Sequence, residues 1–207
     1  MKKYIPYKNL AFLVKLLIVY IIICVKSYAD TNKIKPNFVT IGNEDSPVKI
    51  KVFSSLTCPH CADFHIKVLP KIKEDYVKKN LVQLILIDFP LDQAGFNASK
   101  LTYCVDEKKQ MSYLDTVYEN QSNWTAGSNI DEINDNLKKI AKDLGINSSH
   151  FDKCLNNEII SDKILNGRIE GHQKYSINST PTIIINEKKF EGSASFGDIK
   201  KKIEKLI

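Results

Sequence analysis

Val48-Lys49-Ile50-Lys51-Val52-Phe53-Ser54-Ser55-Leu56-Thr57-Cys58-Pro59-His60-Cys61 is the stretch on which the fold of this chain turns. Its first residues alternate apolar and charged side chains, as a strand does, and its last four open a helical pattern. Two cysteines separated by two residues at a helix start can carry dithiol–disulfide chemistry. The first thiol, Cys58, is expected to point into the free N–H groups of the first turn, where positive partial charge favours thiolate over thiol. Cys61 lies one turn further in, close enough to attack a mixed disulfide formed on Cys58. Pro59 suits the first helical position, because its missing N–H would have had no intrahelical partner there. His60 adds a donor that can become cationic beside the sulfur.

Other readings of the motif fit less well. Attachment of a c-type haem needs histidine directly after the second cysteine, and Ala62 stands there. A structural zinc site needs two further ligands. Cys104 and Cys154 supply the number but form no second tight pair. Two cysteines that merely pack are poorly placed at a helix mouth with proline and histidine between them. No metal or other cofactor is therefore expected beyond the cysteine pair itself.

Upstream, Lys2, Lys3, Lys8 and Lys15 precede an apolar run over 16–25, followed by Ser27-Tyr28-Ala29. This reads as a signal peptide cleaved after Ala29, which places the mature chain beyond the cytoplasmic membrane, in the periplasm. The run falls short of the roughly 20 apolar residues a membrane span needs; insertion of 10–25 as an anchor is the alternative. Cys24 leaves with the leader. The chain carries 30 basic and 24 acidic residues, a net +6. Residues 1–29 hold five lysines and no acid, so the mature part is near +1. A basic excess confined to a targeting segment gives no ground for nucleic-acid binding. Four of the five cysteines then remain. They divide into an exposed pair, Cys58 and Cys61, and a distant pair, Cys104 and Cys154. The distant pair reads as a structural disulfide, permitted by export; two free buried thiols are the alternative.

Downstream, apolar residues recur at helical spacing over 59–79, with Pro70 expected to kink the helix and Asn80 to stop it. Residues 81–87 form a nearly continuous apolar run, as in a strand covered on both faces. Strand, helix and strand in that order make a parallel βαβ unit, with 38–41 as a short edge strand. Asp88-Phe89-Pro90-Leu91 breaks the pattern, and 97–175 reads as helices throughout. One apolar stripe runs over 131–144; another comprises Ile159, Ile160, Ile164, Leu165 and Ile169, before Gly171. Tyr113, Tyr118 and Trp124 read as core, and His65 as a surface or packing residue. Strand signals return at 182–185, with a hairpin partner at 188–190. A final helix over 196–206 starts at a capping box, Ser195-Phe196-Gly197-Asp198.

Taken together, Cys-Pro-His-Cys at the strand–helix junction, the proline twelve residues on, the helical insertion and Thr180-Pro181 before the next strand resemble a DsbA-type thiol:disulfide oxidoreductase. Phe89-Pro90-Leu91 and the extra cysteine pair resemble one subgroup of it. The resemblance implies an α/β, thioredoxin-like fold with an inserted helical domain. The leader would be 1–29, the core 30–96 and 176–207, and the insertion 97–175. It implies Cys58 as nucleophile, Cys61 as resolving thiol and Pro181 as a cis-proline that presents the Thr180 backbone to substrate. Few X–Pro bonds are otherwise cis. It implies a monomer that oxidises reduced, newly exported proteins and is reoxidised by a DsbB-like, quinone-linked membrane partner. One departure stands out. Many relatives carry a buried acid six residues before the nucleophile, and Val52 occupies that position here. A disulfide isomerase or reductase of the same fold, and a metal-binding module using Cys58, His60 and Cys61, are the competing functions.

Overall fold

The computed structural model describes residues 38–207. The leader, its cleavage point and Cys24 lie outside the described residues. Among the described residues no helix is long and apolar enough to cross a membrane.

Five strands form one mixed sheet in the order β1-β3-β2-β4-β5. They are β1 (Val39–Ile41), β2 (Val48–Ser54), β3 (Val82–Asp88), β4 (Thr182–Ile185) and β5 (Lys188–Lys189). β2 and β3 pair in parallel, with Val52 opposite Leu86 and Ser54 opposite Asp88. The expected βαβ unit is therefore present. β1 joins β3 antiparallel, β4 joins β2 antiparallel, and β5 closes a hairpin on β4. The hairpin turns through Asn186 and Glu187, both at positive φ, as a type I′ turn demands. The sheet ends on one side in three residues and on the other in two exposed lysines.

Alternation along β2 sends Val48, Ile50 and Val52 to one face, where they pack with Phe64, Leu69, Ile72, Ile199 and Ile203. Phe53 goes to the other, with Ile87, Phe89, Ile177 and Ile184. Between β2 and β3 the chain is helical from Pro59 onward, in four pieces. α1 (Pro59–Asp63) leads into a π turn (Phe64–Val68), then α2 (Leu69–Ile72), then a second π turn (Lys73–Val77). The expected kink at Pro70 takes this form. Proline offers no N–H and its ring crowds the carbonyl four residues back, and the preceding turn widens so that Leu69 N–H bonds Phe64 O. Asn80, at φ 57°, ends the helix as expected.

The helical block comprises α3 (Gln93–Thr102), α4 (Gln110–Glu119), α5 (Gln121–Trp124), α6 (Ile130–Asp143), α7 (Ser148–Leu155) and α8 (Glu158–Tyr175). It begins ahead of Asn97 because Asp92 caps α3, accepting from Gly95 N–H. Trp124, Tyr113, Leu137 and Phe151 make its core. Cys104 and Cys154 are disulfide-bonded, with Cα atoms 6.2 Å apart. In α8 the second stripe does not hold. Ile160, Ile164, Gly167 and Gly171 are buried, while Ile159 and Ile169 are 64% and 51% exposed and Leu165 is exposed as well. A β-carbon on Gly171 would come within 2.7 Å of the Phe53 ring. The glycine marks where the helix meets the sheet, not where it stops. α9 (Phe196–Ile203) closes the chain, capped by Ser195 as the sequence suggested.

Candidate active site

Cys58 sits at the N-cap of α1, its carbonyl accepting from Cys61 and Ala62 N–H at 3.0 and 3.1 Å. The loop that delivers it is tied on both sides. Ser55 Oγ and Thr57 Oγ1 lie 2.9 Å apart, and Thr57 Oγ1 donates to Asp92 Oδ2 at 2.8 Å. Phe89 N–H donates to Ser54 O at 2.7 Å. The break in pattern at Asp88-Phe89-Pro90-Leu91 thus runs alongside the end of β2. From the helical block, Gln121 Nε2 reaches Leu56 O at 2.8 Å and Cys58 O at 3.1 Å. A buried amide spanning these two carbonyls fixes the backbone immediately before the thiol.

Both cysteines are free thiols, and they are more covered than an exposed pair: Cys58 is 8% and Cys61 1% exposed. Pro59 and His60 lie outside them at the surface. Cys58 Sγ makes no bond to the helix N–H groups. A protonated thiol is a donor, and it donates instead to Thr180 O at 3.4 Å. The Thr180–Pro181 peptide is cis, so the structure brings Cys58, Thr180 and Pro181 together as expected. A groove of about 400 Å³ beside them is lined by His60, Phe64, Val68, Thr180, Pro181 and Ala194, among others.

The two sulfurs differ in surroundings. Burial pushes the Cys61 thiol up to about 12, with the Thr180 side chain and the Ser55 backbone acting the other way. Below the pair, His65 is buried, bonded to Asp115 Oδ1 at 2.7 Å and packed on Tyr118 with ring centroids 4.5 Å apart. Burial lowers its pKa, so it is a packing histidine. Asp88, at the end of β3, accepts from Ser99 Oγ at 2.7 Å and from Tyr103 Oη. Burial raises its pKa to about 6.

Cys104 and Cys154 stand apart from this site and bond to each other, which removes them as zinc ligands. Among the described residues no three histidine, cysteine or acidic side chains gather to hold a metal ion. Three supporting residues are not evident from the sequence alone. Asp92 had a signal, as an N-cap residue three before a glycine at a helix start. Asp88 had a fainter one in the period-two pattern of β3. Gln121 had none, since its partners are more than sixty residues away.

Residues 35–205 match the family described as Thioredoxin. A Rickettsia bellii protein named as a protein-disulfide oxidoreductase is 27% identical over 184 residues, covering 88% of this chain and 70% of that protein. A Bacillus anthracis protein named as disulfide bond formation protein D is 28% identical over 174 residues, covering 81% and 77%. The crystal structure of Wolbachia pipientis alpha-DsbA1 superposes with a TM-score of 0.73 at 29% identity, covering 83% of this chain and 91% of that one.

Proposed function

The chain belongs to the thioredoxin family and is a DsbA-type thiol:disulfide oxidoreductase, and from that premise we propose that it works as an exported oxidase of other proteins. The observation that carries the direction is the asymmetry of the pair. Cys58 sits at the N-cap of α1 against the cis Thr180–Pro181 peptide and beside the open groove, whereas Cys61 is 1% exposed behind it and its thiol is pushed up to about 12 by burial. A client thiolate attacks Cys58 Sγ, forming a mixed disulfide, and the electron pair of the broken bond leaves on Cys61. A second client thiolate then attacks the client sulfur of that mixed disulfide and releases Cys58 as thiolate. Where the dithiol form is favoured over the disulfide, that disulfide is a ready donor, the behaviour for which DsbA itself is the reference case.

Thr180 and Pro181, facing Cys58, would hold the client backbone, with the adjoining groove receiving its side chains. His60 lies exposed between the two cysteines and lines the groove, and Pro59 starts the helix. Export is supported by the leader pattern over 1–29 and by the Cys104–Cys154 disulfide, which suits an oxidising compartment. The periplasm is the compartment proposed. A DsbB-like, quinone-linked membrane oxidase would regenerate the Cys58–Cys61 disulfide, and the enzyme would act as a monomer.

The test is stoichiometric mixing of the oxidised full chain with a reduced, unfolded client. Client disulfides should form as the enzyme's is lost, and Cys61→Ala should accumulate client adducts on Cys58 while Cys58→Ala is inactive. A client that stays reduced, with an enzyme that instead cleaves insulin-type disulfides, makes the protein a reductase.

A further inference from the structure

Cys61 gains a proton when it leaves Cys58 and loses one when it attacks. Yet the residue is 1% exposed, so bulk water does not serve it directly. Val52, opposite Leu86 on the neighbouring strand, is apolar and buried. Two residues further along the same face is Asp88, since Leu84, Leu86 and Asp88 alternate to one side of β3. Strand spacing and rise put the Val52 and Asp88 positions about 8 Å apart.

Between the active-site helix and the sheet lies a cavity of about 30 Å³, lined by Ser54, His65, Asp88, Thr102 and Tyr118, among others. That volume suffices for a water molecule, which needs two to four polar partners. The lining offers them. Thr102 Oγ1 is buried with no hydrogen-bond partner among the described residues. Tyr118 connects the cavity to the thiols: it lines the cavity, packs in one buried cluster with Cys58 and Cys61, and stacks on His65, which follows Cys61 by one turn of the active-site helix.

We propose that Asp88 is the proton reservoir of Cys61, exchanging its proton through the Tyr118 hydroxyl and water held in the cavity. This rests on the disulfide-exchange reading of Cys58 and Cys61. When the client thiolate forms its bond to Cys58 Sγ, the Cys58–Cys61 bond breaks and its electron pair stays on Cys61. That sulfur takes a proton from Tyr118, which is resupplied through water by the Asp88 carboxyl, and Asp88 is reprotonated from solvent. In reoxidation the flow reverses: Cys61 attacks the mixed disulfide on Cys58 as its proton passes to the Asp88 carboxylate.

The neighbours of Asp88 leave it suited to the task. α3 presents Ser99, and Tyr103 follows at its end; both donate to the carboxylate. α4 presents Tyr113 and Tyr118, and burial drives all three tyrosines well above their ordinary range. The first π turn presents His65, held by Asp115. From α8, Arg168 lies over the Phe89 ring, 5.5 Å from its centroid. Burial lowers the His65 pKa, while Asp88, at about 6, lies near working pH, where acid–base exchange is most efficient.

The experiment uses the full reduced chain and oxidised glutathione. Uptake of glutathione on Cys58 and its displacement by Cys61 are timed separately by acid quench, alkylation and mass, from pH 4.5 to 8.5. In the natural chain the displacement rate should inflect near pH 6. Asp88→Asn should abolish that inflection and slow displacement at pH 7 by about tenfold to a hundredfold, leaving uptake unchanged. Asp88→Glu should keep the inflection. Displacement by Asp88→Asn with the natural rate and pH profile, or with the inflection retained, overturns the proposal. Should Asp88→Asn not fold, Tyr118→Phe decides: slower displacement at pH 7 supports the relay, and an unchanged rate overturns it. A natural chain that takes up no glutathione on Cys58 defeats the exchange reading itself, and this inference with it.

Discussion

Asp88 carries a pH signature in stability as well as in chemistry. Its carboxyl titrates near 3.8 in the unfolded chain and at about 6 in the fold. Below 3.8 both states are protonated and the residue contributes nothing. As pH rises from there through 6, the unfolded chain releases the proton more easily, so stability falls and stays lower. The gap is worth about 3 kcal/mol at most. Asp88→Asn should therefore be more stable than the natural chain in urea at pH 7, by up to that amount, and equal to it near pH 3. An Asn variant that is less stable at pH 7 would show that the carboxylate's two hydrogen bonds outweigh its burial. Residue-scale roles were unevenly legible. Cys58 and Cys61 announced themselves by spacing, and Thr180-Pro181 only by resemblance, because an isolated Thr-Pro reads as an ordinary loop. Asp88 stood where an apolar run ended, and its inward direction follows only once Val82, Leu84 and Leu86 are known to share its face.

At the scale of the element, α8 shows how a helix can be found and its buried side mistaken. Five aliphatic residues between 159 and 169 suggest a stripe, but they spread too far round the helix to share one face. The face that meets the sheet runs through two glycines, whose small size permits close approach to Ile87 and Phe53. Phe53 is 3% exposed and packed on Phe89 and Tyr175, so its ring has nowhere to retreat. Gly171→Ala, normally a gain within a helix, should instead cost about 1–3 kcal/mol through overpacking, read as a shift in urea midpoint. A stabilised variant would mean that α8 is free to slide. Strands and caps were more legible than this contact, since alternation and capping are local, and which helix face touches which ring is not.

At the scale of the whole molecule, one disulfide ties helices together among the described residues. Cys104 follows α3 and Cys154 lies in α7, 50 residues apart in sequence. A crosslink closing that loop should stabilise by about 4 kcal/mol in the chain-entropy view. Replacing both by alanine should lower the urea stability by up to that much and leave exchange at Cys58 intact; an unchanged midpoint would mean the denatured chain gains little freedom. The pairing was legible from the even cysteine count left once the leader pattern is set aside, whereas the packing of the block on the active-site loop through Gln121 was not. The flanks of the sheet have their own bearing on the oxidase function proposed above, which would bring unfolded chains to the protein. An unfolded chain is a collection of unpaired strands, and any long open edge invites them to stack. Here one edge is three residues long and the other is a pair of lysines. Under that proposal, visiting chains would find little to zip onto along either border, so that lasting encounters would be those made at the thiol, and the enzyme would handle sticky polypeptides without becoming the seed of their aggregation.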